Sequence, residues 1–315
     1  ASVSIDLKLS NTCNLKCRIC GPMASSTWLR EFLDHDLKGV DSEYADQLRT
    51  NERYYKQEKI IGQQSNEAVF VEWLRSVEHI ELTGGEPLMS RENVKLLELC
   101  TQMGVAGDID LLIVTNATHF KRRFLEIFRS FRSVIINFSI DDIADRFEYE
   151  RHGASWADAV DVVRSFLAEA PDNVRFNIHC AVSIYNVYYL PEFVDWVATL
   201  QPMRRVNLLL HLVHFDPHFC IANLPPEAAS VISDRLADAA QTTDDVNVRG
   251  QLDGIRRFLD EADPDPALLE RFLTVTGRRD RIRGESFKDT FPELHDVLNG
   301  AHRTVWQRIR NRLGA

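Results

Sequence analysis

The sequence lacks most of the features that would assign it quickly to a class. It has no basic N-terminal stretch followed by an apolar one, and no uninterrupted apolar run of about 18 residues, so neither a signal peptide nor a membrane span is expected. Basic residues are in deficit, 37 against 47 acidic, for a formal net charge of -10. That balance gives no overall attraction to a nucleic-acid backbone or an anionic bilayer, so neither partner is expected. Glycine (14) and proline (11) are too sparse for a collagen-like or low-complexity chain. Cysteine is also scarce, with six in 315 residues, too few for a small disulfide scaffold. With these absences the chain reads as cytoplasmic. The sequence opens on Ala1 rather than Met and enters a strand-like run at once, which leaves room for upstream residues.

What is present is alternation. At roughly 150 residues per domain the length suggests one large or two ordinary domains. From Val3 to about Phe215, β-rich runs at Val3 to Leu9, Val77 to Leu82, Ile109 to Val114, Val134 to Ile140, Val174 to Val182 and Val206 to Val213 predict six strands. Helical spacing of apolar residues falls between them, at Ser25 to Leu33, Ala68 to Ser76, Val94 to Met103, Phe120 to Phe131, Ser155 to Ala170 and Leu190 to Leu200. The fold class is therefore α/β with a parallel sheet, either open and doubly wound or a partial barrel, since periodicity does not choose between them. Both architectures place chemistry at the carboxyl ends of the strands. The polar stretch at about 34–67 is too long for a simple crossover and reads as an insertion. After Phe215 the pattern is helical, at Pro225 to Ala240, Val246 to Glu261, Pro266 to Thr276 and Phe291 to Leu313. A division into 1–215 and a helical C-terminal accessory region, 216–315, follows.

Three of the six cysteines lie together after the first strand, in Cys13-Asn14-Leu15-Lys16-Cys17-Arg18-Ile19-Cys20. Three thiolates on one loop suit a soft metal centre: zinc, if a histidine supplies a fourth ligand, or an iron-sulfur cluster with one iron left open. Cys100, Cys180 and Cys220 are isolated, and the first two fall in apolar patterns that read as core. The second strand ends Glu81-Leu82-Thr83-Gly84-Gly85-Glu86-Pro87, where two glycines free the backbone to approach a ligand and a carboxylate follows. Alone, that turn also reads as a strand-to-helix turn with an N-terminal acid.

Together the two motifs resemble the radical S-adenosylmethionine (radical SAM) enzymes. The resemblance implies a partial (β/α)6 TIM-like barrel and a [4Fe-4S] cluster on Cys13, Cys17 and Cys20 whose open iron chelates S-adenosylmethionine. It also implies reductive cleavage of that cofactor, abstraction of a substrate hydrogen by the 5'-deoxyadenosyl radical, and an external electron donor of flavodoxin or ferredoxin type. Carried onto this sequence, Thr83, Gly84, Gly85 and Glu86 meet the methionyl amino group and Asn116 lines the cofactor. Ser139 and Asp141 stand at the ribose-contacting position, Arg151 at the position that pairs with the cofactor carboxylate, and Asn186, Leu212 and Val213 at the adenine-facing end. Ala117 stands where the family often has glycine, and Ile19 where it usually has an aromatic.

Leu9-Ser10-Asn11, Arg18-Ile19-Cys20-Gly21-Pro22 and Arg151-His152-Gly153-Ala154-Ser155-Trp156 look most like the twitch group, relatives of the peptide-modifying SPASM enzymes. That points to a ribosomally made peptide as substrate, oxidised, crosslinked or epimerised, with a small metabolite such as an aminosugar as the alternative, and a non-enzymatic metal-binding protein behind both. Cys220 is the only cysteine after residue 180, so cysteines there cannot build an auxiliary cluster; it is a candidate hydrogen-atom donor to a substrate radical. Alternation puts His211 and His214 on opposite faces, so no shared metal site is expected of them. The run Arg278 to Arg283 reads as a solvated helix end.

Overall fold

The structure is a computed structural model and describes residues 3–36, 46–50 and 71–300. It contains one six-stranded sheet whose strands lie in chain order: β1 (Val3–Leu7), β2 (Val77–Leu82), β3 (Asp110–Thr115), β4 (Ser133–Ser139), β5 (Val174–Val182) and β6 (Val206–Leu212). The sheet is parallel and does not close, and further helices follow it in the chain, as a partial TIM-like barrel with a C-terminal helical region requires. Residues are paired in register as Asp6↔Glu81, Glu81↔Leu112 and Leu112↔Ile135. The chain groups into two compact units. One comprises Ala1–Ile140, Arg151–Ile178 and Leu200–Asn207; the other comprises Asp141–Glu150, His179–Thr199 and Leu208–Ala315.

In the first unit the connecting helices are α1 (Ser26–His35), α2 (Arg91–Gln102), α3 (Arg122–Phe128) and, after the intervening α4 (Ala144–Glu150) of the other unit, α5 (Trp156–Glu169). Strand alternation buries one face: Ile80, Leu82, Leu111, Ile113, Val134, Ile136, Phe138 and Phe176 are all at most 1% exposed. Phe138 packs on Phe166 of α5 at 5.6 Å and stacks on Phe176 at 5.7 Å. Burying each ring contributes about 2 to 3 kcal/mol. The opposite face carries Asp6, Lys8, His79, Glu81, Asn177 and Asn207 and is only partly covered. One face of the sheet is thus committed to core, and the other sets polar side chains beside the half-buried Leu112 and Ile135 and is only partly covered.

The second unit contains α6 (Leu190–Ala198), α7 (Pro226–Thr242), α8 (Val246–Asp260), α9 (Pro266–Arg283) and α10 (Phe287–Thr290), with residues 292–300 helical as well. Its core is aromatic. Tyr185 lies 4.9 Å from Phe272, 5.9 Å from Tyr149 and 6.0 Å from Phe291, and its hydroxyl shares a 2.6 Å hydrogen bond with Thr276. Gly284, at φ 68°, ends α9 in the left-handed conformation that glycine adopts without strain. Arg279 is 7% exposed, so the basic run is not simply a solvated helix end. Most of the expected insertion, and the last part of the expected helix beyond residue 300, lie outside the described residues.

Candidate functional site

β1 delivers the chain into an irregular loop that carries the three clustered cysteines and ends at α1. Ser25 caps α1 by accepting from Trp28 N (3.2 Å), while its hydroxyl donates to Leu15 O at 2.6 Å. Thr27 donates to the same carbonyl at 2.8 Å, and the Trp28 indole donates to Cys17 O at 3.0 Å. A helix cap and one tryptophan therefore fix the loop's backbone. Leu15 is fully buried, and Cys13 and Cys17 are 8% and 6% exposed. Leu15, Cys13 and Cys17 form a small buried cluster against which Cys20 packs.

The turn after β2 clamps this loop from the other side. Glu86 N donates to Thr12 O at 2.7 Å and Gly85 N to Ala24 O at 3.1 Å. Gly84 and Gly85 have φ of 76° and 59°, and a Cβ on Gly85 would stand 2.4 Å from Thr12 O, so only glycine permits the approach. The Glu86 carboxylate points inward. It accepts from Leu88 N (3.0 Å), Thr115 Oγ1 (2.8 Å) and Asn116 N (2.6 Å) and is fully buried. Burial pushes its pKa up, against these hydrogen bonds and the field of Arg151. The face this turn presents is therefore backbone, with Glu86 as its internal brace.

Asn116, at the end of β3, bridges the two. Its Nδ2 donates to Asn14 Oδ1 (3.0 Å) and lies 3.7 Å from Cys13 Sγ, and its Oδ1 accepts from Thr118 Oγ1 at 2.6 Å. Ala117 is wholly buried at φ 59°, a left-handed position that explains why glycine would suit this turn. Arg151 is buried rather than on the surface, with Nη1 3.8 Å from Cys17 Sγ, and Lys16 N donates to His152 O at 2.9 Å. Ser139, at the end of β4, is half-buried.

In the second unit Asp141 is 1% exposed and accepts from Ala181 N at 2.9 Å. Asn186 is buried, donating to Ala181 O (2.9 Å) and accepting from Ser183 N (3.0 Å). Leu212 is half-buried at the end of β6, Val213 N donates to Val182 O at 2.9 Å, and Cys220 is 9% exposed. His211 rests on His179 at 4.3 Å and His214 on Phe258 at 5.8 Å, so these histidines do not converge. Cys100 and Cys180 are fully buried, as their patterns suggest, and burial pushes the Cys100 thiol up to about 12.

The donor set on the first loop, three thiols packed together, suits a soft metal centre, and an iron-sulfur cluster takes one thiolate per iron. The Cys13 thiol is raised by burial and receives Leu15 N–H at 3.4 Å, and the amide of Asn116 and the guanidinium of Arg151 stand at the sulfurs of Cys13 and Cys17. Such N–H groups stabilise thiolate sulfur once metal has displaced its proton. The residues that sequence patterning missed are Ser25, Thr27, Trp28 and Thr115, of which only the Ser25 cap had a local signal.

A family model, the Radical SAM superfamily, matches residues 7–180, more than half of the 315. Among solved structures, a tagged form of anSMEcpe with bound AdoMet is 16% identical with a TM-score of 0.50, covering 76% of this chain and 60% of that one. Native anSMEcpe with AdoMet and the Cp18Cys peptide gives 16%, a TM-score of 0.47, and coverage of 75% and 59%. Streptococcus suis SuiB bound to precursor peptide SuiA gives 14%, 0.44, and coverage of 76% and 46%. The chain spans less than two thirds of the length of each, and the first likeness speaks to the fold. No curated protein matches the chain.

Proposed function

This chain belongs to the Radical SAM superfamily, and from that premise we propose that it holds a [4Fe-4S] cluster on Cys13, Cys17 and Cys20 and uses it to cleave S-adenosylmethionine. The observation that carries the proposal is the clamp of the Thr83 to Glu86 turn onto the cysteine loop through Thr12, with Arg151 and Asn116 at the sulfurs. The chemistry such a cluster supplies when bound is one-electron reductive cleavage of the cofactor, yielding a 5'-deoxyadenosyl radical that takes a substrate hydrogen.

The chain's own residues would divide the remaining work. The loop buries two of its three thiols, which limits water at the sulfurs. The backbone of Thr83, Gly84 and Gly85 meets the methionyl amino group while Glu86 holds that backbone still. Arg151 pairs with the cofactor carboxylate and Asn116 lines its methionine end. Ser139 and Asp141 serve the ribose, and Asn186, Leu212 and Val213 the adenine. Cys220 is the candidate hydrogen-atom donor.

We place the catalytic barrel at 1–215 and the accessory region at 216–315, assign the chain to the twitch group on its sequence motifs, and favour a ribosomally made peptide as substrate with a flavodoxin or ferredoxin as electron donor. Electron paramagnetic resonance of the reduced, anaerobically reconstituted protein tests the cofactor assignment. A cluster signal that changes when S-adenosylmethionine is added is expected. A protein that binds iron and sulfide with no change on adding the cofactor would contradict it.

A further inference from the structure

At the edge of the sheet opposite the cysteine loop, where β5 and β6 begin, lies a depression of about 440 Å3 lined by Arg175, Arg204, Arg205, Asp172, Phe176 and Asn207. Three guanidiniums and one carboxylate there contrast with a chain that is acidic overall. Arg204 is already engaged: it donates to Ala170 O (2.7 Å) and Pro171 O (3.2 Å), lies 3.6 Å from Asp172, and stands 5.7 Å from the Phe176 ring. Arg175 and Arg205 are exposed, and among the described residues neither has a carboxylate partner. Elsewhere in the same unit some exposed arginines are paired, as Arg122 is with Glu169 and Arg132 with Asp110, while others, such as Arg129 and Arg164, have no carboxylate partner among the described residues; what sets the depression apart is that two such arginines share one concave lining with a third. Like charges gathered at a concave mouth focus a positive potential that an oxyanion relieves.

Asn207, which lines the depression, is the first of a row of amides. Asn207 Nδ2 donates to Asn177 Oδ1 at 2.9 Å, and Asn177 Nδ2 donates to Asn137 Oδ1 at 2.8 Å. The row crosses from β6 to β4 on the sheet's partly covered face and carries neutral donors and acceptors suited to peptide groups. We propose that this depression docks a carboxylate-rich segment of the peptide substrate, its side-chain carboxylates on Arg175 and Arg205 and its backbone along Asn207, Asn177 and Asn137. The inference rests on the peptide reading above.

The test is fluorescence anisotropy of a labelled polyglutamate peptide with the reconstituted holoprotein at low ionic strength. Binding that weakens as salt rises is expected. The Arg175→Glu/Arg205→Glu double variant should bind at least about tenfold more weakly, since it replaces two attractions by repulsions. The double variant Arg129→Glu/Arg164→Glu, with the same charge change elsewhere, should bind as the parent does. Equal affinity of the two double variants, or no binding by the parent, would overturn the proposal. Displacement of the peptide by inorganic phosphate at the same anion concentration would overturn it in favour of a small oxyanion. The same preparations are assayed for 5'-deoxyadenosine without peptide. Its formation by the mouth variant at the parental rate separates failure of the docking site from failure of the cofactor reading.

Discussion

Substituting Gly85 by alanine puts the most weight on the smallest change. Three glycines separate the effects. Gly104 has φ 73°, and a methyl group there would meet open space, with nothing within 4 Å. Gly104→Ala therefore reports left-handed strain alone, about 1 to 2 kcal/mol, reduced by about 0.4 to 1 kcal/mol because alanine restricts the unfolded chain. Gly84→Ala would meet the Lys8 side chain at 2.3 Å, a flexible neighbour that can withdraw. Gly85→Ala meets backbone, with Thr12 O at 2.4 Å and Asn11 C at 2.8 Å. Neither atom can move without carrying Cys13 along. Overpacking adds about 1 to 3 kcal/mol, and loss of the Glu86 N to Thr12 O bond about 1 kcal/mol more. Gly85→Ala should thus cost at least about 2 kcal/mol beyond Gly104→Ala in anaerobic urea unfolding. It should also retain less iron after desalting, whereas Gly104→Ala keeps the parental content. Equal unfolding midpoints and equal iron in these two variants would refute the claim that the glycine turn clamps the cysteine loop.

Other expectations follow from the same geometry. Ala117→Gly relieves about 1 to 2 kcal/mol of left-handed strain at a buried turn but gives up about 0.4 to 1 kcal/mol to the freer unfolded chain and about 0.8 kcal/mol for the buried methyl, so it should keep stability within about 1 kcal/mol of the parent in the same unfolding assay. Arg151→Met should weaken S-adenosylmethionine binding by about tenfold or more in equilibrium dialysis of the reconstituted protein, with Arg151→Lys restoring part of it; unchanged affinity in the methionine variant would remove Arg151 from the cofactor. Asp110 is pulled down to about 2, first by its hydrogen bond from Arg132 and then by Ser133. Its ionised form is favoured in the folded state, so its contribution is present above about pH 4 and is lost as pH falls toward about 2. The pair is largely exposed, which limits the effect to about 1 kcal/mol or less. Asp110→Asn should flatten the acid limb of the stability profile by that amount.

Much of the architecture is legible because both periodicities are clean. β2 and β5 begin and end where their apolar alternation does. Helix ends are harder. α2 starts at Arg91 rather than at the first apolar residue because Ser90 caps it, accepting from Asn93 N at 3.3 Å. α9 runs past Thr276 to Arg283 because Tyr149 donates to Asp280 at 2.7 Å and Arg279 is buried, contacts made by a segment distant in sequence. α4 gives no sequence signal because its alternating charges hide Phe147 and Tyr149, which are buried only by the aromatic core around them. At the site, cysteine spacing and the glycine pair mark the loop and the turn. The inward course of the Glu86 carboxylate is not legible, since its partners Thr115 and Asn116 lie on another strand and reach it only through the fold.

In the proposed function Cys13, Cys17 and Cys20 hold a cluster that cleaves S-adenosylmethionine, and the remaining cysteines are not its ligands. The direct measurement is 5'-deoxyadenosine formed under strict anaerobiosis with a strong reductant, comparing the parent with Cys17→Ala and Cys100→Ala. The parent and Cys100→Ala should both form it, and Cys17→Ala should form none and hold little iron. Failure of the fully reconstituted parent to form 5'-deoxyadenosine, or its undiminished formation by Cys17→Ala, would contradict the account.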